Sequence, residues 1–324
     1  MDREQEERRS LGFFVVVKES IKIIFTWRKI FSQITLSFIL PLALIFLAHM
    51  EISAILLAKI HHNKRPLSHS KANTPRYNKL PDFATLNTID LLLFTVVDFV
   101  PVGAFSLLST SAVVCTTTCV YTSKSITFGG VMRVLPKVWK RLLITYLWSF
   151  LGFFVYIVVS TASSYFFAII PSPIIVPAQA FVFLMLYPSG LVYINVISGL
   201  ADVISVVEDI YGIQAMFKSK NLIKGKLGVS LAINLLLLIV SMAIQIVFYV
   251  FVALGHGSGF LRLGVAILCF LFLLNLLLFA PVVQTVIYFV CKSYHHENID
   301  KSPLVDHLEV HLLADYLPPQ ADNV

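Results

Sequence analysis

Residues 142–201 form a stretch of 60 residues that contains no Lys, Arg, Asp, Glu or His. A single spanning helix takes roughly 20 apolar residues, and lipid admits only segments whose backbone groups bond internally. The stretch therefore predicts two membrane spans joined at a proline cluster formed by Pro171, Pro173 and Pro177. A soluble fold is excluded, because 57% of all residues are hydrophobic and only 13% are charged.

Windows free of charge place six spans along the chain, and we expect an all-α polytopic bundle of three helical hairpins. The predicted spans are residues 30–48, 91–120, 142–170, 178–200, 227–254 and 263–291. The second span contains Asp98 and Pro101 and is long enough to be tilted, broken or partly buried against other helices.

The spans divide the chain into three parts. Residues 1–29 are expected to be a cytosolic N-terminus with an amphipathic interfacial helix, residues 30–291 a six-span transmembrane domain, and residues 292–324 an acidic cytosolic tail. Within the transmembrane domain, residues 49–88 are predicted to be a polar loop. Residues 121–141 and 201–226 are predicted to be basic cytosolic segments.

The distribution of cations predicts the orientation. An even number of spans puts 18 of the Lys and Arg residues on the side of the N-terminus and 7 on the other side. Since cytosolic loops carry the excess of cations, both termini are predicted to be cytosolic. Six cations between residues 51 and 88 run against this bias, although a loop of that length weighs less. The endoplasmic reticulum, another endomembrane or the plasma membrane would suit such a protein.

A basic amphipathic segment precedes spans one, three and five. Such segments are expected to lie in the cytosolic interface, with their cations facing anionic headgroups. Two interpretations stay open: three parallel copies of one unit, or cytosolic loops that are basic and amphipathic as such loops often are. The candidate contacts with anionic lipid are Lys18, Lys22, Lys29, Arg133, Lys137, Lys140, Arg141, Lys218 and Lys224.

Asp98 is the only acid well inside a predicted span. A carboxylate in the membrane is costly, so Asp98 is a candidate for ion coupling in a small-solute or ion transporter. Asn195, Gln245 and Asn275 could join it in a polar interior. The alternative is a structural pair, or a position near the headgroups of a tilted helix.

The end of the chain offers three further hypotheses. Cys291 lies beside Lys292 at the predicted cytosolic end of the last span, where it is a candidate for S-palmitoylation or a plain lipid-facing thiol. His295 and Asp300 match the HxxxxD spacing of glycerolipid acyltransferases, a weak basis for a lipid-modifying enzyme because only 24 residues follow. His307 and the histidine four residues later could share a helical face, but an exposed amphipathic tail explains them more simply.

No cofactor, metal or nucleic acid is predicted as a partner. The lipid bilayer, with its anionic lipids, is the expected environment. The tail from residue 292 carries six acids against two bases and ends in apolar patches, which suit a helix that packs on the bundle or binds a protein partner.

Several strings resemble a plant family of six-span membrane proteins of unknown function, and the resemblance covers nearly the whole chain. They are 27–34 (WRKIFSQI), 108–114 (LSTSAVV), 136–141 (PKVWKR), 208–212 (EDIYG) and 284–300 (QTVIYFVCKSYHHENID). Some members are labelled as binding a polyadenylate-binding protein, but residues 314–319 lack the Phe that such proteins bind. The resemblance implies a membrane location and a plant source, and it transfers no catalytic residue.

These observations favour a non-enzymatic organiser of lipid or partners in plant endomembranes. A transporter that uses Asp98 is the second hypothesis, and the enzyme is the third.

Overall fold

The computed structural model describes residues 12–69, 75–122, 127–168, 175–255 and 258–296. Of residues 60–69, 75–92, 95, 167–168 and 175–186, it describes the backbone alone. Within these ranges the chain is almost entirely helical and has no β-strand. The helices are α1 (Phe13–Thr26), α2 (Arg28–Ile34), α3 (Leu40–His69), α4 (Pro75–Tyr121), α5 (Phe128–Ala168), α6 (Ile175–Val207), α7 (Ile213–Leu222), α8 (Leu227–Phe248) and α9 (Gly259–Tyr294). Two π-helical segments, Thr35–Ile39 and Tyr249–Ala253, connect α2 to α3 and extend α8.

The prediction of an all-α protein with six spans is confirmed. Six helical segments are long and apolar enough to cross a membrane: Arg28–Lys59, Val96–Tyr121, Phe128–Phe166, Tyr187–Val207, Leu227–Ala253 and Gly259–Tyr294. Helices suit this composition because their backbone groups bond within the segment and leave only side chains facing lipid.

The polar segment predicted between spans one and two at residues 49–88 has mostly helical backbone. Helix α3 continues to His69, and α4 begins at Pro75, so helical backbone occupies most of that range. A helix needs only local hydrogen bonds, so it can extend past the apolar window that predicts a span. The predicted turn prolines Pro171 and Pro173 lie outside the described residues.

The second span is not broken. Helix α4 runs without interruption for 47 residues through Asp98 and Pro101, a length of roughly 70 Å at 1.5 Å per residue. The second basic segment is likewise continuous with its span, since α5 covers 41 residues and includes Pro136. Only the first and third basic segments begin in helices of their own, α1 and α7.

The described residues fall into two compact units. Unit 1 takes the described residues within 1–34, 110–238 and 279–324, and unit 2 takes those within 35–109 and 239–278. In unit 1, α6 packs along α5, α7 packs on both of these helices, and α2 contacts α5. In unit 2, a buried apolar cluster contains Ala43 and Leu47 of α3, Phe248 of α8, and Cys269 and Leu273 of α9.

The two units bury different chemistry. Except for Ser109, every fully buried polar or charged residue that the structure describes belongs to unit 1. Buried polar groups need partners, because an unpaired one costs about 1–3 kcal/mol. A specific polar site is therefore expected in unit 1.

Candidate functional site

A buried ionic cluster joins three helices of unit 1 at the residue that follows α6. The Glu208 carboxylate accepts a bond of 2.7 Å from Lys218 Nζ and one of 2.6 Å from the Tyr288 hydroxyl. Lys292 Nζ lies 3.3 Å from the same carboxylate and 3.2 Å from the Tyr288 oxygen. The Glu208 and Lys292 side chains are only 9% and 7% exposed. The cluster, defined as Glu208, Lys218, Tyr288 and Lys292, thus ties α7 and α9 to the end of α6.

The cluster keeps its carboxylate ionised. Burial raises the pKa of Glu208, but the hydrogen bonds from Lys218 and Tyr288 and the nearby Lys292 ammonium outweigh burial, so the pKa lies below its usual value. Two ammonium groups then share one carboxylate, which leaves one formal positive charge in excess. Such an excess favours anions at the surface next to the cluster.

The turn that carries Glu208 is fastened on its other side to α5. Arg141 forms an ion pair with Asp209. The Gly212 amide donates a bond of 2.7 Å to the Thr145 hydroxyl, which lies 2.6 Å from the Ser205 hydroxyl. These bonds hold residues 208–212 in one conformation.

Gly212 is required in this turn for two reasons. Its φ of +66° lies in the left-handed region that favours glycine. A Cβ at this position would also lie 3.3 Å from side-chain atoms of Ile144 and Trp148. Residues 208–212 therefore supply the Glu208 carboxylate of the cluster, the Asp209 carboxylate that pairs with Arg141 of α5, and the turn at Gly212.

The end of α9 clamps the connection between α7 and α8. His295 Nε2 lies 3.0 Å from the Leu222 carbonyl oxygen and 3.1 Å from that of Lys224. Both partners are acceptors, so Nε2 carries the proton and donates to the carbonyl groups at the end of α7. Gly225, with φ +94°, packs against the Tyr294 ring, and Lys226 Nζ lies 5.7 Å from the centre of that ring.

This geometry corrects the interpretation of His295 as a catalytic base. Its Nε2 atom is occupied by backbone carbonyl groups, which gives the histidine a structural role in unit 1. Asp300, His307 and the rest of the tail lie outside the described residues, and so does any site that they would form.

A basic cleft lies beside the ionic cluster. It has a volume of about 460 Å³ and is lined by Lys218, Asn221, Leu222, Lys224 and His295. Lys224 Nζ donates a bond of 3.0 Å to Asn221 Oδ1. The cleft presents donors and cations to the surface, as an anion would require.

The structure divides the nine candidate lipid contacts into two groups. Arg141 and Lys218 are half-buried. Arg141 pairs with Asp209 and Lys218 with Glu208, so each has an anionic partner within the protein. The other seven candidates are exposed on α1, α2, the first turns of α5 and the turn after α7: Lys18, Lys22, Lys29, Arg133, Lys137, Lys140 and Lys224. All nine belong to unit 1.

Palmitoylation of Cys291 is contradicted by this structure. The side chain is fully buried in the last helix of unit 1, and acylation requires a thiol that the transferase can reach. Sequence position alone suggested access, but the neighbouring helices cover it.

Among the described residues of unit 2, Asp98 pairs with His49 and not with Gln245 or Asn275. Asp98 Oδ2 lies 2.9 Å from His49 Nδ1, and the His49 ring stacks on Phe94. Gln245 instead donates to Ser241, one helical turn before it on its own helix. Asn195 and Asn275 are exposed, and Asn275 bonds to the Leu271 carbonyl group.

Asp98 is also not the only acid inside a span. The fourth span extends to Val207 and so includes Asp202. Asp202 Oδ1 is buried and has no hydrogen-bond partner among the described residues. Ending the predicted span at residue 200 placed this acid in a loop.

Sequence reasoning missed Glu208, Tyr288 and Lys292 as a group. The available signals were weak: Tyr288 and Lys292 lie one helical turn apart, and Glu208 is the first residue of the EDIYG string at 208–212. Their proximity depends on contacts across 80 residues of sequence, and a periodicity does not report such contacts.

The fold and the site define a multi-pass membrane protein with a basic unit organised around a buried ionic cluster. The family described as Domain of unknown function (DUF8558) matches residues 1–324. The chain belongs to that family. No curated protein and no solved structure matches it.

Proposed function

We propose that the protein is a non-enzymatic multi-pass membrane protein that binds anionic phospholipids through its basic segments and so organises lipid or partners in the membrane. The observation that carries this proposal is that the exposed cations of all three basic segments belong to one compact unit. In the sequence, Lys29 and Arg133 are 104 residues apart, and Arg141 and Lys218 are 77 residues apart.

Contacts within unit 1 support the proposal. Helix α2, which carries Lys29, contacts α5, and α7 contacts α5 as well. Helix α5 therefore connects the first and third basic segments to the second. Cations grouped in this way act together on a charged surface, and each contributes about 1 kcal/mol of attraction near an anionic leaflet.

Helix α1 has the surface of an interfacial helix. Its buried residues are Val16, Ser20 and Ile23, which face the protein. Lys18 and Lys22 are exposed, and Phe14 and Phe25 are 82% and 72% exposed. Exposed aromatic rings beside cations suit the boundary between headgroups and acyl chains.

The proposal includes an orientation and a location. The bias of Lys and Arg supports cytosolic termini and an orientation in which the basic segments of unit 1 lie at the cytosolic leaflet, where anionic lipids are enriched. The resemblance to a plant family of six-span proteins supports an endomembrane of a plant cell.

The test compares two pairs of cations that remove the same charge. The full-length protein is reconstituted in nanodiscs of phosphatidylcholine and phosphatidylserine, and the anionic lipid retained on the protein is measured by native mass spectrometry. Lys137→Gln with Lys140→Gln removes two exposed cations of unit 1. Lys59→Gln with Arg262→Gln removes two cations of unit 2, an exposed lysine and an arginine that is 43% exposed and pairs with Glu51.

We expect the unit 1 pair to lower retention of phosphatidylserine by about tenfold or more, since two cations contribute about 2 kcal/mol. The unit 2 pair is expected to leave retention close to that of the wild type. Equal retention in all three proteins would contradict the proposal. Arg141 is left intact because it holds Asp209 and its loss would confound binding with folding.

A further inference from the structure

An apolar groove runs beside α7 in unit 1, separate from the basic cleft. It has a volume of about 390 Å³ and lies between α5, α6 and α7. Trp148 and Gly152 of α5, Ile197 of α6 and Phe217 of α7 are among its walls, and Lys220 is the one charged residue among the described residues that line it. The α5 wall belongs to the third membrane span.

Helix α7 presents three different faces. Ala215, Ser219 and Leu222 are buried against the protein. Lys218 points to the ionic cluster. The residues facing the groove repeat every three or four positions and end at an exposed lysine: Ile213, Met216, Phe217 and Lys220.

The groove is held open by bonds at both ends of α7. The Ser219 hydroxyl donates a bond of 2.8 Å to the Ile197 carbonyl group. The Gly212 amide is bonded to Thr145 just before the helix begins. Helix α7 is therefore fixed against α5 and α6, and the groove does not need to form on binding.

Gly152 forms an open part of the groove. A Cβ at this position would have no heavy atom within 4 Å. A side chain can therefore be added at this lining position without a clash at its Cβ. The walls are apolar and one of them belongs to a membrane span, so the acyl chain of a bilayer lipid is the occupant that suits this groove.

We propose that this groove binds one acyl chain of an anionic phospholipid, with the lipid phosphate next to the Lys220 ammonium. The inference rests on the proposed function and names a specific site for its ligand. The Lys220 ammonium is complementary to the anionic headgroup of such a lipid, and the apolar walls are complementary to its acyl chain. Phosphatidylcholine would fill the walls equally well, but its choline cation offsets the charge of its phosphate, so its headgroup offers the ammonium no net negative charge.

The test uses Trp148 as a probe inside the groove. Trp27 and Trp139 are replaced by Phe, so that Trp148 is the remaining tryptophan of the chain. The full-length protein is placed in nanodiscs of phosphatidylcholine that contain a small fraction of phosphatidylserine with brominated acyl chains. Bromine quenches tryptophan fluorescence on contact, and a parallel sample contains brominated phosphatidylcholine at the same fraction.

Three variants are compared with this single-tryptophan protein. Gly152→Leu fills the groove, and Lys220→Gln removes the cation from an exposed position. Gly264→Leu is the matched control, because it is also a helical glycine with open space around its Cβ, but in unit 2.

We expect brominated phosphatidylserine to reach a given degree of Trp148 quenching at about one fifth of the lipid fraction that brominated phosphatidylcholine requires. This factor corresponds to the roughly 1 kcal/mol that one cation contributes to binding of an anionic lipid. Gly152→Leu should remove most quenching by both lipids, and Gly264→Leu should leave it unchanged. Lys220→Gln should make the two lipids equal.

If Trp148 is quenched equally in Gly152→Leu and in its parent, the proposal that the groove binds an acyl chain is overturned. If Lys220→Gln still distinguishes the two lipids, the proposed role of that lysine is overturned. Lys220→Gln changes an exposed residue, so its result does not depend on tolerance of a larger side chain. Retention of phosphatidylserine measured on the same samples separates the two proposals. If Gly152→Leu retains phosphatidylserine normally and its Trp148 is quenched as before, only the proposed groove site is contradicted. If the wild-type protein retains phosphatidylserine no better than phosphatidylcholine, the proposed function is contradicted.

Discussion

Unit 1 and unit 2 are built from parts of the same long helices, yet they place their charged groups differently. In unit 1, Glu208 and Lys292 are more than nine-tenths buried and share a network with Tyr288. In unit 2, the described charged side chains are at least partly exposed: Glu51, Lys59, Asp98 and Arg262. The core of unit 2 is apolar.

This difference indicates which unit depends on specific contacts. A buried charge that loses its partner costs several kcal/mol, whereas an exposed pair contributes about 0–1 kcal/mol. Packing alone can hold unit 2. Unit 1 needs its ionic cluster to hold α7 and α9 in place, and α7 forms a wall of both the basic cleft and the apolar groove.

The largest effect is expected from Glu208→Gln. The substitution keeps the shape of the side chain but leaves the Lys292 ammonium buried without its anion, so the free energy of unfolding should fall by about 3–5 kcal/mol. Thermal unfolding of the detergent-solubilised protein, followed by size-exclusion chromatography, measures the loss. Glu51→Gln is the control in unit 2, because this side chain is 41% exposed, and it should cost less than about 1 kcal/mol. Equal losses for the two variants would remove the distinction between the units.

Acid should act on the same cluster. Because the folded-state pKa of Glu208 is below its ordinary value, the carboxylate stabilises the protein at pH values above that ordinary value of about 4.5. The stabilisation is lost as the pH falls further, through the folded-state pKa. Unfolding followed between pH 7 and pH 3 should show a steeper loss for the wild type than for Glu208→Gln. Parallel curves would mean that Glu208 is not the group responsible.

A glycine substitution tests the clamp at the end of α9. Gly225→Ala places a Cβ at a φ of +94° and 2.4 Å from the Tyr294 ring, so it should lower the free energy of unfolding by about 1–3 kcal/mol. Gly228→Ala, three residues later in α8, meets no neighbour within 4 Å and should be neutral or slightly stabilising. Circular dichroism melts of both variants give the comparison, which fails if Gly228→Ala is the more harmful change.

The smallest effect is expected in unit 2 at the pair formed by Glu51 and Arg262. Their side-chain atoms are 2.9 Å apart, but the two side chains are 41% and 43% exposed. Replacing Arg262 with Gln should change the free energy of unfolding by no more than about 1 kcal/mol, and added salt should reduce the difference further. A loss comparable to that of Glu208→Gln would show that unit 2 also depends on ionic contacts.

The sequence predicted the six spans because hydrophobic length is a local property that lipid thickness selects. It predicted neither the continuation of α3 and α4 through residues 49–88 nor the burial of Cys291. Helix extension depends on residues outside the apolar window, and burial of a thiol depends on helices that are distant in sequence. The basic residues were found as a pattern, but their division into lipid-facing candidates and partners of Glu208 and Asp209 required three-dimensional contacts.

If the proposed function holds, the basic segments of unit 1 face one side of the membrane. Labelling of single cysteines in sealed vesicles with an impermeant maleimide shows which side each segment faces. The four native cysteines are buried, so they give little background. We predict that Lys22→Cys, Lys137→Cys and Lys220→Cys label from the cytosolic side while Lys59→Cys labels only from the opposite side. Labelling of residues 22 and 137 from opposite sides would contradict the claim, because one basic surface would not then exist.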